Sequence, residues 1–147
     1  MIGEKERYHG VALARLIQDS EGAVLLTSWN TVSRCAYVMN EATVLFLKYS
    51  TNRLSPWPFV FSAEQKDELS DLSGMFEAVW LVMVCGNEGI IAVPWNAANA
   101  RLLPNSHAGA FSLQASRKPG QKFRVGGSGL KPLFVSESSF PDALYVR

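Results

Sequence analysis

Cysteine and long apolar runs are both scarce in this sequence. Only two of the 147 residues are cysteines, Cys35 and Cys85, and each lies inside an apolar stretch. That pattern is typical of reduced thiols rather than of a disulfide framework, so we expect a cytoplasmic protein. The longest apolar run, Ala78 to Cys85, has eight residues, and a membrane-spanning helix needs roughly 20. The charged N-terminal residues also lack the apolar segment of a secretory signal. We therefore expect no membrane partner.

The sequence also lacks an excess of charge of one sign. Fourteen basic and 13 acidic residues give a formal net charge of +1, which excludes the strongly basic composition of a general nucleic-acid coat protein. The charge is unevenly placed, because residues 1–100 carry a net charge of −4 and residues 101–147 a net charge of +5. Four basic residues flank a Pro-Gly turn in the second part: Arg117, Lys118, Lys122 and Arg124. A hairpin would present them together, either as a phosphate-binding patch or as a solvated turn whose charges discourage edge pairing.

Common catalytic and metal-binding motifs are absent as well. The sequence has no P-loop and no dinucleotide-binding glycine pattern. The segment from Gly126 to Leu130 lacks the final glycine of a nucleophile elbow. His9 and His107 are far apart and outside any Cys/His cluster, so we expect no metal and no cofactor. His9 is expected on a helix surface.

The first half of the chain alternates between helical and extended patterns. Apolar residues at helical spacing predict a helix from Glu4 to Gln18. Three runs rich in Val, Leu, Tyr and Phe then predict strands at Ala23 to Trp29, Arg34 to Asn40 and Thr43 to Ser50. The short Asn40-Glu41 connection indicates a tight hairpin. The second and third strands are therefore expected to pair antiparallel.

Two prolines in the next segment, Asn52 to Pro58, predict a loop that leaves the sheet. Phe59 to Phe61 is expected to be a short extended piece, and Ser62 begins a Ser-x-x-Gln capping box that opens a helix. Ala78 to Cys85 has the composition of a strand that is covered on both faces. A glycine-bounded turn then leads into a return strand at Ile90 to Val93.

The C-terminal part gives weaker patterns. Asn96 is expected to cap a short helix from Ala97 to Leu103. Three short strands are expected after it, at Phe111 to Ala115, Phe123 to Val125 and Leu133 to Val135. We expect residues 1–147 to form a single domain, with a core over residues 4–93 and a small β-rich extension over residues 94–147.

The order helix, three strands, helix, strand over residues 4–85 resembles the αβββαβ core of the PD-(D/E)xK nuclease superfamily, which has the restriction-endonuclease-like fold. The expected fold class is therefore α/β (α+β), with a mixed sheet. In that superfamily the second strand supplies an Asp and the third strand supplies (D/E)-x-K. The carboxylates hold Mg²⁺ beside a lysine that helps to orient the attacking water.

The matching triplet in this chain is Phe46-Leu47-Lys48, which keeps the lysine and lacks the acid. Glu41 is the residue that could replace the Asp of the second strand, and Glu4 or Glu6 matches the opening-helix acid of some branches. One or two carboxylates make a poor Mg²⁺ site. The resemblance therefore implies a nuclease-like fold without metal-dependent cleavage. Glu6, Glu41 and Lys48 remain as catalytic candidates for a divergent Mg²⁺-dependent nuclease.

The residues from Lys48 to Trp57 place cations, hydroxyls and aromatic rings on a proline-containing loop. Lys48, Ser50 and Arg53 could hold phosphate while Tyr49 or Trp57 stacks on a base. Alternatively, Lys48 reaches water or pairs with Glu41, and the Trp57 ring caps the core.

Two classes of function follow from these residues. In the first, the protein binds nucleic acid, such as DNA, through Lys48, Ser50, Arg53, Trp57 and the basic turn. In the second, it is a protein-interaction module, such as an accessory or inhibitor protein of a mobile element. The run from Lys48 to Phe59 resembles bacterial and mobile-element proteins, which implies no activity. Four tryptophans could anchor a protein partner: Trp29, Trp57, Trp80 and Trp95.

Overall fold

The residues that the structure describes fold into four helices and two β-sheets. The computed structural model describes residues 1–103, 109–128 and 131–145. The elements are, in chain order, α1 (Glu4–Gln18), β1 (Leu26–Ser28), β2 (Ala36–Met39), β3 (Thr43–Ser50), β4 (Trp57–Phe61), α2 (Ala63–Met75), β5 (Ala78–Cys85), β6 (Gly89–Pro94), α3 (Trp95–Arg101), β7 (Phe111–Ser116), β8 (Phe123–Gly126), β9 (Leu133–Val135) and α4 (Ser139–Tyr145). Within the described ranges, no helix is both long and apolar enough to span a bilayer.

The first sheet has the strand order β1-β2-β3-β5-β6. β1, β2 and β3 form an antiparallel meander. Asn40 and Glu41 make the β2–β3 turn at φ values of 52° and 64°, as a two-residue hairpin turn requires. α2 then carries the chain to β5, which lies parallel to β3. The predicted hairpin, the buried strand Ala78–Cys85 and the return strand are confirmed.

The second sheet has the order β4-β7-β8-β9 and is antiparallel throughout. The prediction of a loop over Asn52 to Pro58 was too long, because β4 already begins at Trp57. Pro58 is tolerated in β4 since this strand lies at the edge of the sheet. The three predicted C-terminal strands are confirmed as β7, β8 and β9. Through β4, a strand from the first half of the chain belongs to the same sheet as the C-terminal strands.

Two apolar cores lie on opposite faces of the first sheet. On one face, Leu45 and Leu47 of β3 pack with residues of α1 and α4. On the other, Val44 and Phe46 pack with α2, α3 and the inner face of the second sheet. β3 is therefore buried on both faces along most of its length, as expected of a central strand.

Two further local predictions were wrong, and one helix was missed. The first strand covers only Leu26–Ser28, a short edge piece. Pro94, and not Asn96, precedes the first residue of α3, since the helix starts directly after β6. α4 was not predicted because its seven residues include a non-helical position at Phe140, next to a proline, which interrupts any helical pattern.

Candidate functional site

The candidate site is a cavity at the end of β3 that β2 does not cover. The β2–β3 ladder ends at the Ala36 and Phe46 pair, and the Leu47 N–H makes one further bond to the Cys35 carbonyl at 2.9 Å. The last residues of β3 therefore border a cavity of about 520 Å³. Its lining residues come from α1, the segment before β2, β3, the following loop, β4 and α2: Glu4, Lys5, His9, Ser33, Cys35, Leu47, Lys48, Tyr49, Ser50, Thr51, Asn52, Pro58, Val60 and Gln65.

Lys48 is a half-buried cation in this cavity. Its Nζ donates a hydrogen bond to Oε1 of Gln65 at 3.1 Å and lies 4.9 Å from the centroid of the Phe61 ring. Burial lowers the pKa of Lys48, the electrostatic effect of Cys35 opposes this by raising it, and the charge of Lys5 lowers it further. In the described part of the chain, no carboxylate forms an ion pair with Lys48.

The start of α2 holds the partner of Lys48 in place. Ser62 Oγ accepts a hydrogen bond from the Gln65 N–H at 3.1 Å, and Gln65 Oε1 accepts one from the Ser62 N–H at 3.0 Å. This is the predicted capping box, which is confirmed. The same amide oxygen also accepts from Lys48. The orientation of Gln65 is therefore fixed by the helix start and not only by the lysine.

Lys5 and His9 bring α1 into the site. Lys5 Nζ donates to the Ser33 carbonyl at 2.8 Å, and His9 Nδ1 lies 2.9 Å from the Tyr37 hydroxyl. The expectation of a surface histidine was wrong, because α1 turns His9 towards β2 and buries it. Burial, together with the charges of Lys5 and Lys48, lowers the pKa of His9 to about 4. The imidazole is therefore neutral at pH 7.

Tyr49, which lines the same cavity, is stacked on Tyr8. The rings of Tyr8 and Tyr49 lie 4.6 Å apart at an interplanar angle of 3°. Burial raises the pKa of Tyr49, and so do the charge of Glu4 and its hydrogen bond to the phenol. One face of the Tyr49 ring is therefore already covered by Tyr8.

The loop after β3 is fixed to the core by Trp57. Trp57 Nε1 donates to the Asn52 carbonyl at 3.0 Å, and Asn52 Nδ2 donates to the Pro56 carbonyl at 3.0 Å. Because only 2% of Trp57 is exposed, its ring cannot stack on a base, and the alternative interpretation of a core cap is confirmed. Ser50 is buried and lines the cavity, while Arg53 is exposed in the loop next to Asn52.

The structure does not bring the catalytic candidates together. Glu41 sits in the turn before β3, seven residues from Lys48, which corresponds to about 23 Å along a strand. The proposed pairing of Glu41 with Lys48 was therefore wrong. Glu6 is exposed and accepts a hydrogen bond from the Gly3 N–H at 3.1 Å, while Glu4 lines the cavity. Among the residues that the structure describes, which exclude His107, no three His, Cys, Asp or Glu side chains are grouped to hold a metal ion.

The basic turn is smaller than the sequence suggested. Arg117 forms ion pairs with Glu88 at 3.2 Å and Glu137 at 3.4 Å, and its guanidinium lies 4.4 Å from the Phe123 ring centroid. Two carboxylates thus neutralise Arg117, which removes it as a phosphate ligand. The other three cations of this turn are exposed: Lys118, Lys122 and Arg124.

The tryptophans do not form an exposed anchor patch as a group. Trp57 and Trp95 are each 2% exposed, so neither can insert into a partner. Trp29 is 36% exposed and packs edge-on against Phe76 with the ring centroids 5.0 Å apart, and Trp80 is half-buried. Two of the four tryptophans are therefore too buried to anchor a protein partner.

Comparison with protein-family models, curated proteins and solved structures finds no match to this chain. The site must therefore be interpreted from its own residues. Sequence reasoning missed Lys5, His9 and Gln65 as members of the site. Gln65 had a usable signal, because the capping box fixes its side chain at the start of α2. The positions of the Lys5 and His9 side chains depend on how α1 is rotated against the sheet, and no local sequence pattern indicates that rotation.

Proposed function

We propose that the protein binds nucleic acid by holding phosphate in this cavity, without metal-dependent cleavage. The observation that carries the proposal is the environment of Lys48, which contacts a neutral amide and an aromatic ring and forms no ion pair with a described carboxylate. Removing a charge from water without an ionic partner costs stability. A bound phosphate would supply the missing negative charge.

The rest of the cavity suits the same ligand. Lys5 adds a second positive charge, and Ser50, Thr51 and Asn52 offer hydroxyl and amide donors. Side chains of these types make most protein contacts to the nucleic-acid backbone. Glu4, which is a carboxylate on the lining, hydrogen-bonds to Tyr49. These contacts recognise the backbone and carry no sequence information.

The arrangement of elements supports the resemblance to the nuclease-like core. The meander β1-β2-β3, the crossover through α2 and the parallel strand β5 follow the order of the αβββαβ core. Phe46 occupies the position of the missing acid. Its side chain is fully buried, and its ring stacks on that of Phe61 with the centroids 6.4 Å apart. An apolar ring at that position supports a binding role over Mg²⁺-dependent cleavage. The second sheet, entered through β4, is a departure from that core.

The two thiols support the expected cytoplasmic location. Cys35 and Cys85 are both free and buried, and burial raises the pKa of Cys85 to about 12. A protonated thiol in an apolar core is chemically inert. We propose a structural role for Cys85 in a reducing compartment.

Fluorescence anisotropy of labelled oligonucleotides at several salt concentrations tests the proposal. Lys48→Met keeps the aliphatic stem over Phe61 and removes the charge. Two variants serve as controls: Lys48→Arg keeps a charge at this position, and Arg15→Gln removes an exposed charge from the far end of α1. We expect Lys48→Met to weaken binding at least about fivefold, Arg15→Gln to leave it unchanged, and added salt to weaken the native protein steeply. Equal affinity of native protein and Lys48→Met would refute the phosphate site.

A second candidate function is the binding of an acidic, extended peptide at the open edge of β3. The Leu47 N–H points towards β2. The Ser50 carbonyl points to the opposite side of β3, where it accepts a hydrogen bond from the Gly86 N–H at 2.9 Å. Since alternate residues of a strand direct their backbone groups to the same side, the Tyr49 N–H and C=O point towards the cavity beyond the end of β2. A strand added there would pair with them. Labelled acidic peptides that bind more tightly than any oligonucleotide would favour this candidate.

A further inference from the structure

The outward face of the second sheet is open to solvent and carries apolar side chains. Residues alternate along its strands, so that one set is buried in the core and the other is exposed. Val60 on β4 is 65% exposed and Phe134 on β9 is 63% exposed. Apolar side chains exposed together on one sheet face can contribute to a binding surface.

The side chains on the sheet surface between Val60 and Phe134 are of types that bind nucleic acid. Arg124 of β8 lies directly across from Phe134. A Cβ placed on Gly126 would lie 3.4 Å from Arg124 Nη1, which shows that the guanidinium extends over this glycine, along the surface of the strand. Ser112 and Gln114 of β7 add exposed hydroxyl and amide groups. An arginine beside an aromatic ring can contact a phosphate while a base stacks on the ring.

This face is continuous with the Lys48 cavity. A depression of about 470 Å³ on the sheet is lined by Arg124, Gln114 and Ser112, among others, and by Pro58 and Val60. The last two residues also line the Lys48 cavity. Within the described segments, the residues that line the depression include no carboxylate. On the sheet itself, a polyanion would therefore meet no carboxylate among the described residues that line the depression.

We propose that the ligand is single-stranded nucleic acid, which runs from the Lys48 cavity past Val60 to Arg124 and Phe134. This inference rests on the proposed function and narrows its ligand. A duplex conceals the faces of its bases, whereas an unpaired base can stack on Phe134. Three strand spacings separate β4 from β9, about 14 Å, so a ligand that contacts both strands must be several nucleotides long.

Anisotropy with a labelled single-stranded hexanucleotide, a dinucleotide and a duplex tests this inference. Phe134→Ser and Arg124→Gln remove the two contacts on the sheet. Ile17→Ser and Arg15→Gln remove an exposed apolar side chain and an exposed charge from α1 as matched controls. We expect the native protein to bind the hexanucleotide more tightly than the dinucleotide or the duplex. Phe134→Ser should weaken hexanucleotide binding at least about fivefold, and the α1 variants should leave it unchanged.

The outcomes separate the two proposals. If Lys48→Met weakens binding while Phe134→Ser and Arg124→Gln do not, or if the duplex binds as tightly as the single strand, the sheet surface is refuted and the cavity stands. If no oligonucleotide binds at low salt, the proposed function itself fails. Phe134 and Arg124 are exposed, so unchanged thermal unfolding of the variants will show that any loss of binding is local.

Discussion

The proposed phosphate site depends on Lys48. In the absence of ligand, the charge of this half-buried side chain should lower the free energy of unfolding. The Lys48→Met variant keeps the packing on Phe61, and Gln65 Oε1 retains its hydrogen bond from the Ser62 N–H. No buried polar atom is then left unpaired. We expect the urea midpoint of Lys48→Met to be unchanged or higher than that of the native protein, as at other sites where function opposes stability.

Equilibrium unfolding in urea, followed by tryptophan fluorescence, measures this effect. Lys48→Arg serves as the control that keeps the charge. A loss of about 1 kcal/mol or more in Lys48→Met would mean that the lysine is a structural element of the core and not a ligand-binding group.

His9 should make the stability of the protein fall in mild acid. Its pKa lies at about 4 in the folded state, against an ordinary value of 6.5, so the unfolded chain binds the proton more readily. The stabilisation from a neutral His9 is complete above pH 6.5 and is lost as the pH falls towards 4, by about 3 kcal/mol in all.

Urea unfolding at intervals from pH 7 to pH 4.5 measures this loss. His9→Gln removes the titrating group and keeps a polar side chain near the Tyr37 hydroxyl, so its stability should depend less on pH than that of the native protein. Parallel curves for the two proteins would show that His9 titrates normally and is not held in a buried, neutral state.

The sequence indicated Lys48 because a lysine inside an apolar central strand is uncommon. It could not indicate Lys5 or His9 in the same way. Charged and polar residues on an amphipathic helix are ordinary, and whether they face solvent or a cavity depends on the rotation of α1 against β2 and β3.

At the scale of elements, the β5–β6 turn limits how the loop after β3 can move. Gly86 has a φ of +53°, and a Cβ there would lie 2.3 Å from the Asn52 carbonyl oxygen. Gly86→Ala should therefore destabilise the protein by at least about 2 kcal/mol, from the left-handed backbone and the clash together. Gly74 in α2 is the matched control because, apart from its chain neighbours and the backbone of its own helix, no atom lies within 4 Å of its added Cβ.

We expect Gly74→Ala to leave stability unchanged or to raise it by up to about 1 kcal/mol, since alanine favours a helix over glycine. Thermal and urea unfolding of both variants compares the two sites. If the two alanine variants were equally stable, the close approach of Asn52 to the turn would be refuted.

The elements with the most regular patterns were predicted residue for residue. α1, β3 and β5 have the predicted bounds, because helical spacing and long β-rich runs are local signals. The register of β4 with β7 pairs Trp57 with Ala115, which are 58 positions apart. No local signal specifies such a pairing, so the second sheet was predicted only as separate strands.

At the scale of the whole molecule, the candidate site exists because the two sheets meet beside β3. After β3 the chain leaves the first sheet through the loop and enters the second sheet as β4, so that Phe61 faces Lys48 while Val60 faces solvent. The cavity and the open sheet face then share one wall. The coarse fold class was predictable from the order of elements. The site was not, because it is made from segments that are far apart in the sequence.

An NMR titration of the ¹⁵N-labelled protein with a single-stranded hexanucleotide shows whether the Lys48 cavity binds nucleic acid. We expect the backbone amides of Lys48 to Asn52 to shift first, and the His9 pKa to rise from about 4 as a bound phosphate offsets the charges of Lys5 and Lys48. Arg124 and Phe134 should shift in the same titration. Shifts confined to other surfaces, or a spectrum that does not change at low salt, would show that the Lys48 cavity does not bind single-stranded nucleic acid.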